Sequence, residues 1–206
     1  MKSKAVFVDW DGTLSQSKFW APNNESQLDP DVVEQFTTFL FRTCRDLVKE
    51  WMRGNVSSAN IAELIGTQYG LSPSAVYSDL KSSCEQMTFI DSKVTDSVSS
   101  IRERGAKVVI ATDNMDTFET WTVPALKLED KFDGILASPT LGALKADIRN
   151  GQSLFFYNYL LQQGLKPEET VLLDDNVENA VVKSIGMGFI HVNQHNTLDT
   201  ILDSLT

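Results

Sequence analysis

The sequence predicts an α/β fold in which a parallel sheet with flanking helices is interrupted by an all-helical domain. Two patterns support this prediction. Over most of the chain, short apolar runs alternate with segments of helical periodicity, which is typical of a parallel sheet with right-handed crossovers. One long stretch near the N-terminus has helical patterns only. We therefore predict a core domain of residues 1–14 and 91–206 and an all-helical domain of residues 15–90.

Five short apolar runs are predicted to form the strands of the sheet. Each is bounded by polar or turn residues, as expected of strands that are buried on both faces. The predicted strands cover residues 5–8, 107–111, 135–137, 170–173 and 188–192, of which 135–137 is the weakest.

Helical patterns separate the later strands. Gly105, Gly164 and Gly186 stand just past predicted helix ends, where glycine adopts a left-handed conformation at little cost. The predicted core helices cover residues 91–104, 116–126, 151–163 and 177–185.

Three helices are predicted in residues 15–90. The Asp-Pro pair at 29–30 is a typical N-cap and first-turn pair, and the helix that it opens is predicted to end at Gly54. Ser57 begins a second helix, and the Ser-Pro pair at 72–73 begins a third. Because no strand pattern occurs here, this domain is predicted to be all-helical.

The composition excludes several classes of protein. The chain has 18 Lys and Arg against 28 Asp and Glu, a formal net charge of −10, which argues against binding to nucleic acid or anionic membranes. The two cysteines, Cys44 and Cys84, do not have the spacing of a zinc site, and no apolar run approaches the length of a membrane-spanning helix. We expect a soluble, cytoplasmic protein.

Paired aspartates close two of the predicted strands. Asp9 and Asp11 follow the first strand, and Asp174 and Asp175 follow the strand at 170–173. Ligands of open α/β sheets bind beyond the carboxyl ends of the strands, so the four carboxylates could converge there. Such oxygen ligands suit a Mg²⁺ ion that keeps several waters and contacts a substrate phosphate. The alternative is that Asp175 or Asn176 acts only as a helix N-cap, which still leaves the other carboxylate free to bind metal.

Other polar residues follow two further strands. Thr112, Asp113 and Asn114 come after the second strand, where a hydroxyl and a backbone N–H can bind a phosphate oxygen, although such residues also cap helices. Lys145 follows the weak strand. Its charge could offset the repulsion between a carboxylate and a phosphate, about 4 kcal/mol at roughly 4 Å and an effective dielectric near 20. Trp20, near the domain junction, is the aromatic candidate for substrate contact.

The order of these motifs resembles the haloacid dehalogenase-like (HAD) hydrolase superfamily. The resemblance implies a Rossmann-like α/β core, and the helical domain resembles the C1-type α-helical cap of that superfamily. The motifs that carry the resemblance are DWDGT at 9–13, IATDN at 110–114, LKAD at 144–147 and LLDDNVEN at 172–179.

The resemblance implies a phosphatase that acts on a small phosphorylated metabolite. Asp9 would be the nucleophile that forms an aspartyl-phosphate, and Asp11 would be the general acid and then the general base. Thr112 would donate a hydrogen bond to the phosphoryl group, and Lys145 would neutralise charge. Asp113 adds a carboxylate where relatives more often have a neutral residue, and it would disfavour highly charged substrates if it faces the site.

The resemblance also implies a Mg²⁺ cofactor. Asp9, the backbone carbonyl of Asp11 and Asp175 would hold the ion, and Asp174 would be either a ligand or an orienting residue. Dehalogenase members lack an acid two residues after the nucleophile, so Asp11 favours phosphoryl transfer. A phosphomutase with the same core, or a non-catalytic module that binds phosphate or metal, is the alternative.

Overall fold

A five-stranded parallel sheet forms the centre of the protein in the computed structural model, which describes residues 3–20, 26 and 28–205. Its strands are β1 (Ala5–Val8), β2 (Lys107–Thr112), β3 (Gly134–Ala137), β6 (Thr170–Asp174) and β7 (Gly188–His191). Their order across the sheet is β3-β2-β1-β6-β7. All five predicted strands are present, and the α/β fold class is confirmed.

The central position of β1 determines where its last residues emerge. Phe7 is paired with Val109 of β2 on one side and with Leu172 of β6 on the other. Asp9 therefore leaves the sheet between two neighbouring strands, and its backbone N–H still donates to the carbonyl of Leu173 (2.9 Å). The carboxyl ends of β1, β2 and β6 meet at this edge.

The two faces of the sheet bury alternating residues of each strand. Val6 and Val8 belong to an apolar cluster that continues into the helices inserted after β1, whereas Ala5 and Phe7 pack with Phe156 on the opposite face. Each fully buried Val or Phe side chain contributes about 1.5–3 kcal/mol of transfer free energy. Burial on both faces explains why these strands are continuous apolar runs.

The helices inserted between β1 and β2, hereafter the helical insertion (residues 30–85), are α1 (Pro30–Thr38), α2 (Arg45–Met52), α3 (Ser58–Tyr69) and α4 (Pro73–Glu85). Asp29 caps α1 by accepting from the N–H of Asp31 (2.8 Å), and Ser57 caps α3.

The single helix predicted up to Gly54 is wrong, because a π-helical turn over Phe39–Thr43 and a break at Cys44 (φ −102°, ψ 40°) divide it. No strand occurs in the described part of 15–90. The proposed domain boundaries remain a prediction.

The core helices differ from the predictions in three places. The start of the helix predicted at 151–163 is wrong: a hairpin of β4 (Ile148–Arg149) and β5 (Gln152–Ser153) precedes α9 (Tyr157–Gln163). Asn150 and Gly151 have φ of 51° and 75°, which an Asn-Gly type I′ turn requires. In addition, the helix predicted at 116–126 contains a π-helical turn over Phe118–Thr122 followed by a short α-helix over Val123–Leu126, and that at 177–185 is a 3₁₀ helix.

The other helices complete the two layers around the sheet. They are α5 (Val94–Glu103), α6 (Val123–Leu126), α7 (Leu128–Lys131), α8 (Ser138–Leu141) and α10 (Leu198–Leu205), with π-helical Phe118–Thr122 and 3₁₀ segments Pro167–Glu169 and Val177–Ile185. Within the described residues, no helix has both the length and the apolar character needed to cross a bilayer.

Candidate active site

A buried lysine between two aspartates is the centre of the candidate site. Lys145 Nζ lies 2.7 Å from Asp9 Oδ1 and 2.6 Å from Asp174 Oδ2, and its side chain is 1% exposed. Burial alone would lower the pKa of Lys145, but the charges of Asp9 and Asp174 outweigh burial and raise that pKa. The lysine is therefore a fixed cation at the shared edge of β1 and β6.

Asp9 is itself a buried carboxyl. Burial raises its pKa well above the ordinary value of an aspartate, and the nearby charge of Lys145 only partly opposes this effect. Asp174 contributes in the same direction as burial, because two carboxylates close together disfavour ionisation. An additional positive charge at this point would favour the ionised form of Asp9.

Asp174 has both of its oxygens engaged by protein groups. Oδ1 accepts from the N–H of Asn176 (2.8 Å), and Oδ2 accepts from Asn179 Nδ2 (2.9 Å) as well as from Lys145. The Asp174 side chain is fully buried. These contacts fix the carboxylate and fit the orienting role among the two roles predicted for Asp174.

Asp175 is exposed and lies directly against Gly12. A Cβ at Gly12, where φ is +76°, would lie 2.1 Å from Asp175 Oδ2, so a side chain at position 12 would displace this carboxylate as well as strain the backbone. The following helix is capped by Asn176, whose side chain accepts from the N–H of Glu178 (3.0 Å), so capping does not require Asp175.

Three carboxylates come close enough together to hold a cation. Ligand atoms of Asp9, Asp174 and Asp175 lie within 4.8 Å of one another. Their oxygen atoms are the type of ligand that Mg²⁺ or Ca²⁺ prefers. Asp9 at the end of β1 and the acidic pair at the end of β6 therefore converge at one place, as the sequence predicted.

Asp11 lies beside this cluster with a shifted pKa. Burial raises the pKa of Asp11 from 3.8 to about 6, Lys145 opposes this shift, and Asp175 adds to it. Asn114 Nδ2 donates to Asp11 Oδ2 (3.0 Å) and fixes its orientation. A carboxyl with such a pKa can exchange a proton near neutral pH.

Thr112 ends β2 with a buried hydroxyl. Its Oγ1 has no hydrogen-bond partner among the residues that the structure describes, and the side chain is fully buried. An unsatisfied buried hydroxyl costs about 1–3 kcal/mol, so this group is available for a ligand. Thr13, in the loop after β1, has a second such hydroxyl, which we did not predict to be a site residue although it belongs to the DWDGT motif.

Asp113 and Asn114 are occupied by contacts within the protein. Asp113 Oδ1 accepts from the backbone N–H of Lys145 (2.9 Å), and burial raises the pKa of Asp113. The N–H of Asn114 donates to Ser138 Oγ (3.0 Å), while its side chain holds Asp11. These hydrogen bonds connect Asp113 with Lys145 and Asn114 with Asp11, and direct contact of either residue with substrate remains a prediction.

Trp20 does not lie at the strand ends. Its side chain is 2% exposed, its Nε1 donates to Asp79 Oδ2 (3.2 Å), and its ring contacts Phe36 with centroids 4.8 Å apart. The prediction that Trp20 contacts substrate is therefore wrong: the indole packs in the core of the helical insertion. The position of an aromatic residue near a domain junction is equally consistent with packing in the core.

Asn179 and Ser138 are supporting residues that sequence reasoning did not identify. Asn179, like Lys145, donates a hydrogen bond to Asp174 Oδ2. Ser138 Oγ accepts from the N–H of Asn114 and donates to its carbonyl. Asn179 lies inside the LLDDNVEN motif, which could have indicated it. Nothing in the sequence marks Ser138.

Solved structures of known proteins share this fold. The HAD family enzyme BT-2542 from Bacteroides thetaiotaomicron superposes with a TM-score of 0.70 at 18% identity, over 94% of this chain and 95% of that one. A predicted HAD-like family hydrolase from Porphyromonas gingivalis gives 0.69 at 16% identity, over 100% and 98%. L-2-haloacid dehalogenase from Xanthobacter autotrophicus gives 0.67 at 16% identity, over 98% and 88%.

The family assignment comes from the sequence itself. No curated protein matches the chain. The family model for haloacid dehalogenase-like hydrolases, in contrast, matches residues 3–181, which include all the strand-end motifs. This chain therefore belongs to the haloacid dehalogenase-like hydrolase family and is an enzyme.

Proposed function

We propose that this hydrolase is a Mg²⁺-dependent phosphatase that cleaves a small organic phosphate monoester through an aspartyl-phosphate. The observation that carries the proposal is that Asp9 contacts the buried Lys145 at 2.7 Å, while Asp11, which Asn114 Nδ2 holds at 3.0 Å, is a second carboxyl beside it with a pKa that burial raises. The first residue supplies a nucleophile, and the second can both give and accept a proton near neutral pH.

The proposed reaction has two steps. In the first, a carboxylate oxygen of Asp9 attacks phosphorus, the bond to the alcohol oxygen breaks, and Asp11 gives that oxygen its proton. In the second, ionised Asp11 takes a proton from water, the water oxygen attacks phosphorus, and the bond to Asp9 breaks. Phosphate leaves, Asp9 is a carboxylate again and Asp11 is protonated again.

Thr112 and Lys145 would bind the phosphoryl group. The buried Thr112 hydroxyl is free to donate within the described part of the chain, and its partner would be a phosphoryl oxygen. The Lys145 ammonium would offset the repulsion between Asp9 and the phosphoryl oxygens. Preorganised donors of this kind supply the largest single contribution to catalysis in many enzymes.

Asp9, Asp175 and the backbone carbonyl of Asp11 would hold Mg²⁺, with Asp174 orienting Lys145. When bound, the ion would neutralise negative charge on the phosphoryl group. The fit rests on the approach of the three carboxylates within 4.8 Å and on the space that Gly12 leaves for Asp175. The B. thetaiotaomicron enzyme, which shares the fold, was crystallised with magnesium and inorganic phosphate.

The helical domain, residues 15–90 in our prediction, would be a C1-type cap that excludes water and selects the leaving group. Its partner would be a small phosphorylated metabolite. The net charge of −10 disfavours nucleic acid and anionic membranes, whereas one small phosphate can be bound through a metal and a lysine.

Asp11 separates this proposal from dehalogenation. The X. autotrophicus structure belongs to a dehalogenase, so the fold alone is compatible with displacement at carbon. Displacement of a halide needs no proton for the leaving group, whereas an alkoxide does. A phosphomutase would use the same core groups, and a bisphosphorylated intermediate with transfer faster than hydrolysis would favour it.

The test is phosphate release from a panel of phosphorylated metabolites, with Mg²⁺ or with EDTA. We expect release that depends on Mg²⁺ and is abolished in Asp9→Asn. The matched control is Asp96→Asn, which changes an exposed aspartate of α5 and should keep full activity. Full activity of Asp9→Asn would contradict the nucleophile assignment, and release from no substrate would favour a binding module.

A further inference from the structure

The turn that carries Lys145 is held by hydrogen bonds on both sides of that residue. Asp147 Oδ2 accepts from the N–H of Leu144 (2.9 Å), and the N–H of Asp147 donates to the carbonyl of Leu144 (2.9 Å). The N–H of Lys145 donates to Asp113 (2.9 Å). The backbone at 144–147 therefore depends on the position of the Asp147 carboxylate.

That carboxylate is bound by an arginine of another region of the chain. Arg53 directly follows α2, and its Nη2 lies 2.9 Å from Asp147 Oδ1 and 3.0 Å from Oδ2, with Nε 3.3 Å from Oδ2. The two side chains are 24% and 28% exposed. The pair is therefore a bidentate ion pair that is partly shielded from solvent. It connects the helical insertion with the core across 94 positions of sequence.

The backbone next to Arg53 is packed directly on the core. Gly54 has φ +74°, and a Cβ there would lie 2.6 Å from the carbonyl oxygen of Pro139 in α8. This approach requires glycine. It places Arg53 beside Asp147 without relying on the flexibility of a long side chain.

We propose that Arg53 is a positioning residue for Lys145, acting through the Asp147 carboxylate and the turn at 144–147. The helical insertion then helps to fix the Lys145 ammonium between Asp9 and Asp174, where distances are 2.7 and 2.6 Å. The kinetic consequence of this proposal rests on the proposed phosphatase function, whereas its structural consequence does not.

A second contact between the helical insertion and the core makes it possible to distinguish positioning of the Lys145 turn from mere attachment of the insertion to the core. Trp51 Nε1 and the N–H of Ser58 donate to Asp116 at 2.9 and 3.0 Å, and Ser58 Oγ also donates to this carboxylate. Asp116 lies in the segment after β2 rather than in the Lys145 turn. Ser58→Ala should therefore weaken attachment without loosening the turn.

The core also offers a matched control for loss of an arginine. Arg102 Nε binds Asp133 Oδ1 at 3.1 Å, and Asp133 Oδ2 accepts from the N–H of Val108 (2.8 Å). As in the Arg53 pair, an arginine binds a carboxylate that also accepts from a backbone N–H; here the arginine belongs to α5 and the backbone N–H to β2. Arg102→Met removes a comparable arginine–carboxylate contact, together with a hydrogen bond from Arg102 Nη1 to the carbonyl of Lys131 (3.1 Å), at a place in the chain remote from the Lys145 turn.

The experiment measures amide hydrogen exchange in the full-length protein, which needs no substrate. In Arg53→Met and Asp147→Asn, exchange of the amides at 144–147 should rise at least about tenfold, while Arg102→Met and Ser58→Ala leave it within about twofold of wild type. Unchanged exchange of this turn in Arg53→Met would overturn the proposal. So would an equal rise in Arg102→Met, because that would indicate a global loss of stability.

Steady-state kinetics supply the second readout. Arg53→Met should lower kcat about tenfold or more with KM within about twofold, and Arg53→Lys should recover part of the loss, since small displacements of catalytic groups cost large factors in rate. If Asp9→Asn is inactive but Arg53→Met keeps its kcat, the positioning proposal fails and the phosphatase proposal stands. If the wild type releases no phosphate, the proposed function fails and the exchange result alone decides on Arg53.

Discussion

The raised pKa of Asp11 has a measurable effect on stability, and Asp11→Asn isolates it. In the metal-free protein, folding raises this pKa from 3.8 to about 6. The folded state therefore binds the proton more tightly than the unfolded chain, so the unfolding free energy falls as the pH rises from about 4 to about 6 and changes little above that range. The asparagine variant keeps an acceptor for Asn114 Nδ2 and loses the ionisation.

The size of the effect follows from linkage between protonation and folding. A shift of roughly two pKa units costs the folded wild type about 3 kcal/mol at pH 8 but only about 1.5 kcal/mol at pH 5. The advantage of Asp11→Asn over wild type should therefore grow by about 1.5 kcal/mol between these two pH values. The variant should be the more stable protein and an inactive one.

Urea denaturation in EDTA at pH 5 and pH 8 measures this difference. Asp96→Asn, on the exposed face of α5, is the control and should stay within about 0.5 kcal/mol of wild type at both pH values. A stability difference between Asp11→Asn and wild type that is the same at pH 5 and pH 8 would refute the assignment of Asp11 as a carboxyl that titrates near neutral pH.

Two other substitutions test the phosphate and metal sites. Thr112→Val removes a buried hydroxyl that has no partner in the described structure, so the free energy of unfolding in urea should rise by about 1 kcal/mol. The rate of phosphate release should fall about 100-fold. A loss of stability would show that the hydroxyl has a structural role. Gly12→Ala would bring a Cβ within 2.1 Å of Asp175 Oδ2 and should weaken Mg²⁺ binding in calorimetry at least about tenfold. Gly105→Ala, which also has positive φ but faces open space, should bind Mg²⁺ as wild type does, and equal losses in both variants would point to backbone strain instead.

The sequence was informative where one physical requirement dominates a segment. Strands buried on both faces must be apolar throughout, so β1 and β6 could be predicted nearly to the residue. The carboxyl ends of parallel strands share one edge, so Asp9 and Asp175 could be expected together. The Asn-Gly turn at 150–151 was an available hairpin signal that the helical reading of 151–163 overlooked.

Other features depend on contacts between distant parts of the chain. The pairing of Arg53 with Asp147 joins two segments that have no shared pattern, so neither residue could be distinguished from an ordinary surface charge. Trp20 was misplaced because proximity to a domain junction does not say which way a side chain points. The hydrogen bond from Trp20 to Asp79 shows that the indole lies in the interior of the helical insertion.

The central claim is that Asp9 becomes covalently phosphorylated during turnover. The most direct measurement is mass spectrometry of acid-quenched protein after rapid mixing with Mg²⁺ and a phosphate ester that the panel identifies as a substrate. We predict one added phosphoryl group on the peptide that contains Asp9, which disappears as turnover ends and is absent from Asp9→Asn. Rapid phosphate release with no phosphorylated Asp9 at any quench time, or a phosphoryl group on another residue, would contradict the account.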